Sequence, residues 1–71
     1  MTLEFSVLRA FEATAPISGR QRRFEVGDVV MYDSGQTGPT VTIETGMSLF
    51  LVDRSTFETC CKFKNQGSGA F

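Results

Sequence analysis

The chain has 71 residues, a formal net charge of −1, 41% hydrophobic residues, no histidine and two cysteines. This length allows one domain with a small core, and the ratio of apolar to charged residues excludes a wholly disordered chain. No apolar run reaches the roughly 18 residues of a membrane span. The N-terminus lacks the basic and apolar regions of a signal peptide, so we expect a cytoplasmic protein without a membrane partner.

The first segment alternates between apolar and polar side chains from Leu3 to Phe11, which predicts a half-buried strand. A helix over residues 3–13 is the competing interpretation, because leucine, alanine and glutamate favour helices. Residues 14–23 are predicted to form a polar loop, since Pro16 and Gly19 interrupt regular structure.

The segment Phe24–Gly35 has the pattern of a tight turn, a buried strand and a second turn. Gly27–Asp28 supplies the first turn, and the β-branched and aromatic residues of Val29–Tyr32 favour a strand. Residues 33–39 are rich in turn-forming residues, which predicts a second loop with a mobile tip.

The next two segments predict a β-hairpin. Residues 40–44 alternate between polar and apolar side chains, Thr45–Gly46 favours a tight turn, and residues 47–53 form the returning strand. The apolar run Leu49–Val52 is typical of a central strand that is covered on both faces.

A short helix is predicted over residues 56–61, with a strand as the alternative. Ser55 and Glu58 have the spacing of a capping box. Three apolar residues would share one face of this helix: Phe57, Cys60 and Cys61.

These elements predict a mainly β protein, a small SH3-like barrel or roll of about four or five antiparallel strands with one short C-terminal helix. Residues 1–64 would form the single domain. Residues 65–71 are polar and rich in glycine and serine, which predicts a flexible tail.

The segment Phe24–Gly35, with its Val-Gly-Asp-x-Val motif at Val26–Val30, resembles the opening of two kinds of small SH3-like barrel. These are the YodC-like group of small bacterial proteins and the plasmid-borne type II dihydrofolate reductases. The reductases line the pore of a tetramer with a Val-Gln-Ile-Tyr segment, whereas Ser48–Val52 here contains neither glutamine nor tyrosine. The resemblance therefore implies the barrel without the reductase activity, and the YodC-like group implies no particular chemistry.

One basic cluster, Arg20, Arg22 and Arg23, is a candidate for a phosphate-contacting loop, and a solvated surface loop is the alternative. Tyr32 is the aromatic residue considered for stacking on a base. Gln36 completes the candidate binding residues as part of the predicted loop at residues 33–39.

The inventory of side chains predicts neither an enzyme nor a metal or cofactor site. Without histidine, the sequence contains no recognisable pair of nucleophile and general base. Cys60 and Cys61 are too few for a structural zinc site, and adjacent cysteines rarely form a disulfide. We therefore expect both cysteines to pack as small apolar residues.

The sequence favours a non-catalytic protein-interaction module, such as a small accessory or inhibitor protein from a bacterial mobile element. The partner would be an unidentified protein that contacts exposed Met31 or Tyr32 and the loops at residues 14–23 and 33–39. The alternative hypothesis is a nucleic-acid-binding small barrel that uses the Arg20–Arg23 loop. An exposed edge strand would also permit a homodimer.

Overall fold

The computed structural model describes residues 1–66 as one antiparallel sheet of seven strands with a short helix before the last strand. The elements are β1 (Thr2–Val7), β2 (Phe11–Thr14), β3 (Gln21–Phe24), β4 (Val29–Asp33), β5 (Thr40–Thr45), β6 (Ser48–Asp53), α1 (Arg54–Cys60) and β7 (Cys61–Gln66). In space the order is β3-β2-β6-β5-β4-β1-β7, so that β3 and β7 are the edge strands. The mainly β fold with one short late helix is confirmed, but the prediction of four or five strands was too low.

The first predicted strand is divided into β1 and β2. The backbone amides of Leu8 and Arg9 both donate to the carbonyl of Cys60, at 2.7 and 3.2 Å, where the chain leaves β1. The strand prediction is therefore confirmed over the helix, but the sheet bends at residues 8–10 and the second half pairs elsewhere.

Both edge strands were missed in the sequence. β3 pairs along its whole length with β2, from Phe11 opposite Phe24 to Thr14 opposite Gln21. Its polar and charged residues are typical of a loop, but charged side chains are also common on edge strands, where they prevent pairing with another chain. β7 pairs with β1 and takes in Asn65 and Gln66, which had been assigned to the tail. The rest of that predicted tail lies outside the described residues.

The predicted hairpin is confirmed. β5 and β6 pair in continuous register from Thr40 opposite Asp53 to Thr45 opposite Ser48. Gly46 occupies the turn with φ +58°, a left-handed conformation that glycine adopts without steric cost.

Helix α1 begins two residues earlier than predicted, at Arg54. Its N-cap is Asp53, which makes no side-chain capping hydrogen bond, so the predicted capping box is wrong. Phe57 and Cys60 are buried as expected, whereas Cys61 ends the helix and begins β7. No helix within residues 1–66 is long and apolar enough to cross a membrane.

The core contains two groups of aromatic rings, one at each end of a layer of valine and isoleucine. In the first group, Phe5 and Tyr32 pack against Phe57, with ring centroids 4.8 and 4.9 Å from it. In the second, Phe24 lies 5.1 Å from Phe11 and 5.4 Å from Phe50. The aliphatic layer consists of Val7, Val30, Val41, Ile43 and Val52.

We expect Phe24→Ala to reduce the free energy of unfolding by about 3–5 kcal/mol, because Phe24 is fully buried and contacts both other rings of its group. Phe63→Ala is the matched control, since Phe63 is 52% exposed on the edge strand β7. Urea denaturation followed by circular dichroism measures both variants. Equal losses for the two would contradict this account of the core.

Candidate functional site

The basic cluster is divided by the alternation of side chains along β3. Arg22 is paired with the buried residue Ala13 and lies on the inner side of the strand. Its guanidinium carbon sits 4.7 Å from the centre of the Phe24 ring and 5.7 Å from that of Phe50. This geometry is a cation–π contact that covers one end of the core.

Arg23 lies on the opposite side of β3, and its Nε donates to the carboxylate of Glu25 at 2.7 Å. Both side chains of this ion pair are about 60% exposed, so its contribution to stability is small. Arg20 is exposed just before β3, where its carbonyl accepts a hydrogen bond from the Ala15 amide at 2.8 Å. The structure thus does not collect the three arginines into one surface.

The side chain of Gln36 forms hydrogen bonds with the backbone of Thr42 and Asp33. Its side-chain oxygen accepts a hydrogen bond from the Thr42 amide at 2.8 Å, and its side-chain nitrogen donates to the Thr42 carbonyl at 3.0 Å. The same nitrogen donates to the carbonyl of Asp33 at 3.0 Å. The side chain therefore pairs with β5 much as a neighbouring strand would.

Arg54 ties the same loop to the start of α1. Its Nε donates to the Gly38 carbonyl at 2.7 Å, and one terminal nitrogen donates to the Gln36 carbonyl at 2.8 Å. The Arg54 amide also donates to the Pro39 carbonyl at 2.7 Å. The expectation of a mobile tip at residues 33–39 does not fit these contacts.

Tyr32 faces the core. Its ring stacks on Phe57 with an interplanar angle of 23° and meets the edge of Phe5 at a centroid distance of 5.6 Å. A ring that packs against two other rings in this way has little surface left for stacking on a base.

The structure reveals a surface on the outward face of β4 and β6, the two strands on either side of β5. Sequence reasoning named only Met31 among its four residues. We call it the outer apolar patch; it consists of Val29, Met31, Leu49 and Leu51. Leu49 is 46% exposed, Val29 38% and Leu51 37%, while Met31 is half-buried. The prediction that Leu49–Val52 is covered on both faces is therefore wrong, because only Phe50 and Val52 point into the core.

A signal for this patch was present in the sequence. The outward neighbours of Leu51 and Leu49 on β5 are Thr42 and Glu44, which are polar residues. A covered sheet face would have apolar residues in both strands, so this mixed pattern indicates an open face.

A groove lies beside the outer apolar patch, where β2 and β6 separate. These two strands are paired only at Thr14 and Leu51. The groove has a volume of about 340 Å³ and is lined by Glu12, Thr14, Thr40, Leu51, Val52, Asp53 and Thr56. Leu51 belongs to both the groove and the patch, so the two form one continuous surface.

The two cysteines are free and buried, as predicted. Burial first, and then the negative charge of Cys60, raise the pKa of the Cys61 thiol from 9.0 to about 11. A raised thiol pKa is the opposite of what a nucleophilic cysteine needs. Within residues 1–66, no group of three or more acidic, cysteine or histidine side chains is arranged to hold a metal ion.

Comparisons of the chain with models of protein families, with curated proteins and with solved structures find no match. The resemblance to the YodC-like group and to the type II dihydrofolate reductases therefore stays a prediction.

We expect Gln36→Ala to lower the free energy of unfolding by about 1–3 kcal/mol, because it leaves the partly buried Thr42 amide and carbonyl without their partner. Gln21→Ala is the control, since Gln21 is exposed on the edge strand β3 and should change stability by less than about 0.5 kcal/mol. Thermal unfolding followed by circular dichroism compares the two. Indistinguishable melting curves would contradict the role assigned to Gln36.

The raised pKa of Cys61 predicts a loss of stability at alkaline pH. The thiol of the unfolded chain ionises near pH 9, while the folded protein keeps its proton until about pH 11. Between these values the unfolded state binds fewer protons, so stability falls as pH rises. We expect Cys61→Ala to be less sensitive than the original chain between pH 8 and about 11 in urea denaturation. Parallel pH profiles for the two proteins would refute this assignment.

Proposed function

We propose that this protein is a non-catalytic binding module that contacts a partner protein through the outer apolar patch and the adjoining groove. The observation that carries the proposal is the exposure of leucine on a central strand. Leu49 and Leu51 lie on β6, which has a strand on either side and no element over its outward face within the described residues. Grouped apolar side chains on an open surface commonly mark a protein interaction site.

The surroundings of the patch also support protein binding. Threonines border Leu51 on both neighbouring strands, with Thr14 on β2 and Thr42 on β5. Apolar centres with a polar margin are the usual arrangement of protein–protein interfaces. The patch lies on regular strands, so it is held in place by backbone pairing and does not have to be ordered on binding.

A non-catalytic role is supported by the side chains available. The chain has no histidine, and the thiol with a shifted pKa, Cys61, is shifted away from reactivity. The groove offers carboxylates and hydroxyls, but these lie on an open surface, and no group of side chains within residues 1–66 is arranged to hold a metal ion.

The alternative proposal, nucleic-acid binding through Arg20–Arg23, has less support. Arg22 is engaged with two aromatic rings, and Arg23 is paired with Glu25. Lys62 and Lys64, which might have extended a basic surface, lie on β7 at the opposite edge of the sheet. We also propose that the sheet closes into an SH3-like barrel, but the binding face does not depend on this closure.

We expect the double variant Leu49→Ser/Leu51→Ser to lose at least about tenfold of its partner binding, because it removes the apolar centre of the interface. The control is Ile17→Ser/Met47→Ser, which removes two fully exposed apolar side chains located in turns. Each immobilised protein is incubated with lysate, with and without nuclease treatment, and the captured proteins are quantified by mass spectrometry.

The comparison between variants decides the outcome. A protein that the original chain and the turn variant both retain, but the strand variant loses, supports the proposed face. Equal retention by all three baits contradicts it. Loss of every captured protein after nuclease treatment, together with its loss in an Arg20→Ala variant, would favour the nucleic-acid alternative.

A further inference from the structure

The charged side chains of the sheet are sorted by strand. The five central strands, β2, β6, β5, β4 and β1, contain no lysine or arginine. They contain five acidic residues, which are Glu4, Glu12, Asp33, Glu44 and Asp53. Each alternates with buried or core-packed neighbours along its strand, so all five lie on the outward face. On the central strands, all the charged residues of the face that carries the outer apolar patch are therefore acidic.

The cations lie around this face. Arg22 and Arg23 are on one edge strand, and Lys62 and Lys64 are on the other. The remaining cations are Arg9 and Arg20 in connections and Arg54 in α1. The net charge of −1 therefore conceals a strong separation of charge.

Three of these carboxylates form no ion pair within residues 1–66: Glu12, Glu44 and Asp53. Glu12 lies opposite Arg23 in the sheet, but Arg23 is paired with Glu25. Asp33 is 3.7 Å from the N-terminal amine. Glu44 stands between Met31 and Leu49 in one row across the sheet. Glu12 and Asp53 both line the groove between β2 and β6. Carboxylates that form no ion pair, placed beside exposed leucines, complement an apolar surface that also carries positive charge.

We infer that the partner presents a cationic, partly apolar segment to this face. Its apolar side chains contact Leu49, Leu51 and Met31, and a lysine or arginine side chain enters the groove between Glu12 and Asp53. A long basic side chain fits this groove chemically, because its stem is apolar and its head donates hydrogen bonds. The inference rests on the proposed function and adds the charge of the partner to it.

The same charge distribution argues against other occupants. Phosphate groups of a nucleic acid would be repelled by the central strands of this face, which carry five carboxylates and no cation. A second copy that docked through the same face in a symmetric dimer would bring like charges together. A cationic protein segment is the occupant that satisfies both the leucines and the carboxylates.

The test uses the full chain, labelled with ¹⁵N, and three synthetic hexapeptides. One alternates leucine with lysine, one alternates leucine with glutamine, and one alternates leucine with glutamate. Chemical-shift changes in the amide spectrum give both the affinity and the location of each peptide. Three variants accompany the original chain: Glu12→Gln/Asp53→Asn in the groove, Leu49→Ser/Leu51→Ser in the outer apolar patch, and Glu58→Gln as a control on the exposed side of α1.

We expect the lysine peptide to bind best and to shift amides of β2 and β6. Its affinity should fall about tenfold in the groove variant and stay unchanged in the Glu58→Gln control. Raising the salt concentration to about 300 mM should weaken it, because exposed charges are then screened. Absence of binding, shifts confined to other strands, or equal losses in both variants would overturn the inference.

The glutamine peptide distinguishes a failure of the inference about charge from a failure of the proposed function. If it binds as tightly as the lysine peptide, and Leu49→Ser/Leu51→Ser weakens both equally, the face binds apolar segments and the inference about charge fails. If binding of every peptide is unaffected by Leu49→Ser/Leu51→Ser, the proposed function fails as well.

Discussion

The alternation of side chains along each strand is the constraint on which the rest of this structure depends. A chain of 71 residues can build only a small core, and here one face of a single sheet supplies most of it. Aromatic rings fill both ends of that core, and Arg22 covers one end with its guanidinium. Every charged residue of the central strands must then lie on the other face. The acidic residues of these strands therefore share the outward face with Leu49 and Leu51.

Long-range polar contacts hold the loops, whose structure is not determined by the alternation of side chains along strands. Gln36 pairs with the backbone of β5, and Arg54 joins the same loop to the start of the helix. At the other end, Val7 donates to the carbonyl of Asp28 and accepts from the amide of Gly27. Residues chosen from the sequence as binding residues turn out to have structural contacts. Polar side chains in loops are ambiguous in this respect, because the same donors serve a ligand or a neighbouring carbonyl.

The sequence was most informative where local patterns were strong and least informative at the edges. The hairpin of β5 and β6 follows from alternation and a glycine turn, and the burial of Phe57 and Cys60 follows from helical spacing. β3 has three polar residues before Phe24, so only its pairing with β2 makes it a strand. The separation of Arg22 from Arg23 is a consequence of that pairing. A run of arginines forms one basic patch when it lies in a loop, but its side chains point to opposite faces when it lies in a strand.

The outward face of the sheet shows why charges are more informative when they are counted for each face separately than for the whole chain. The whole chain is nearly neutral, and this net charge by itself argues only against a general nucleic-acid binder. Once the strands are known, alternation divides the same charges into an acidic central face and basic edges. An apolar patch alone would accept many partners, since hydrophobic contact has no direction. The carboxylates of the central strands would disfavour anionic and acidic partners through repulsion, and charge at an interface generally contributes more to specificity than to affinity.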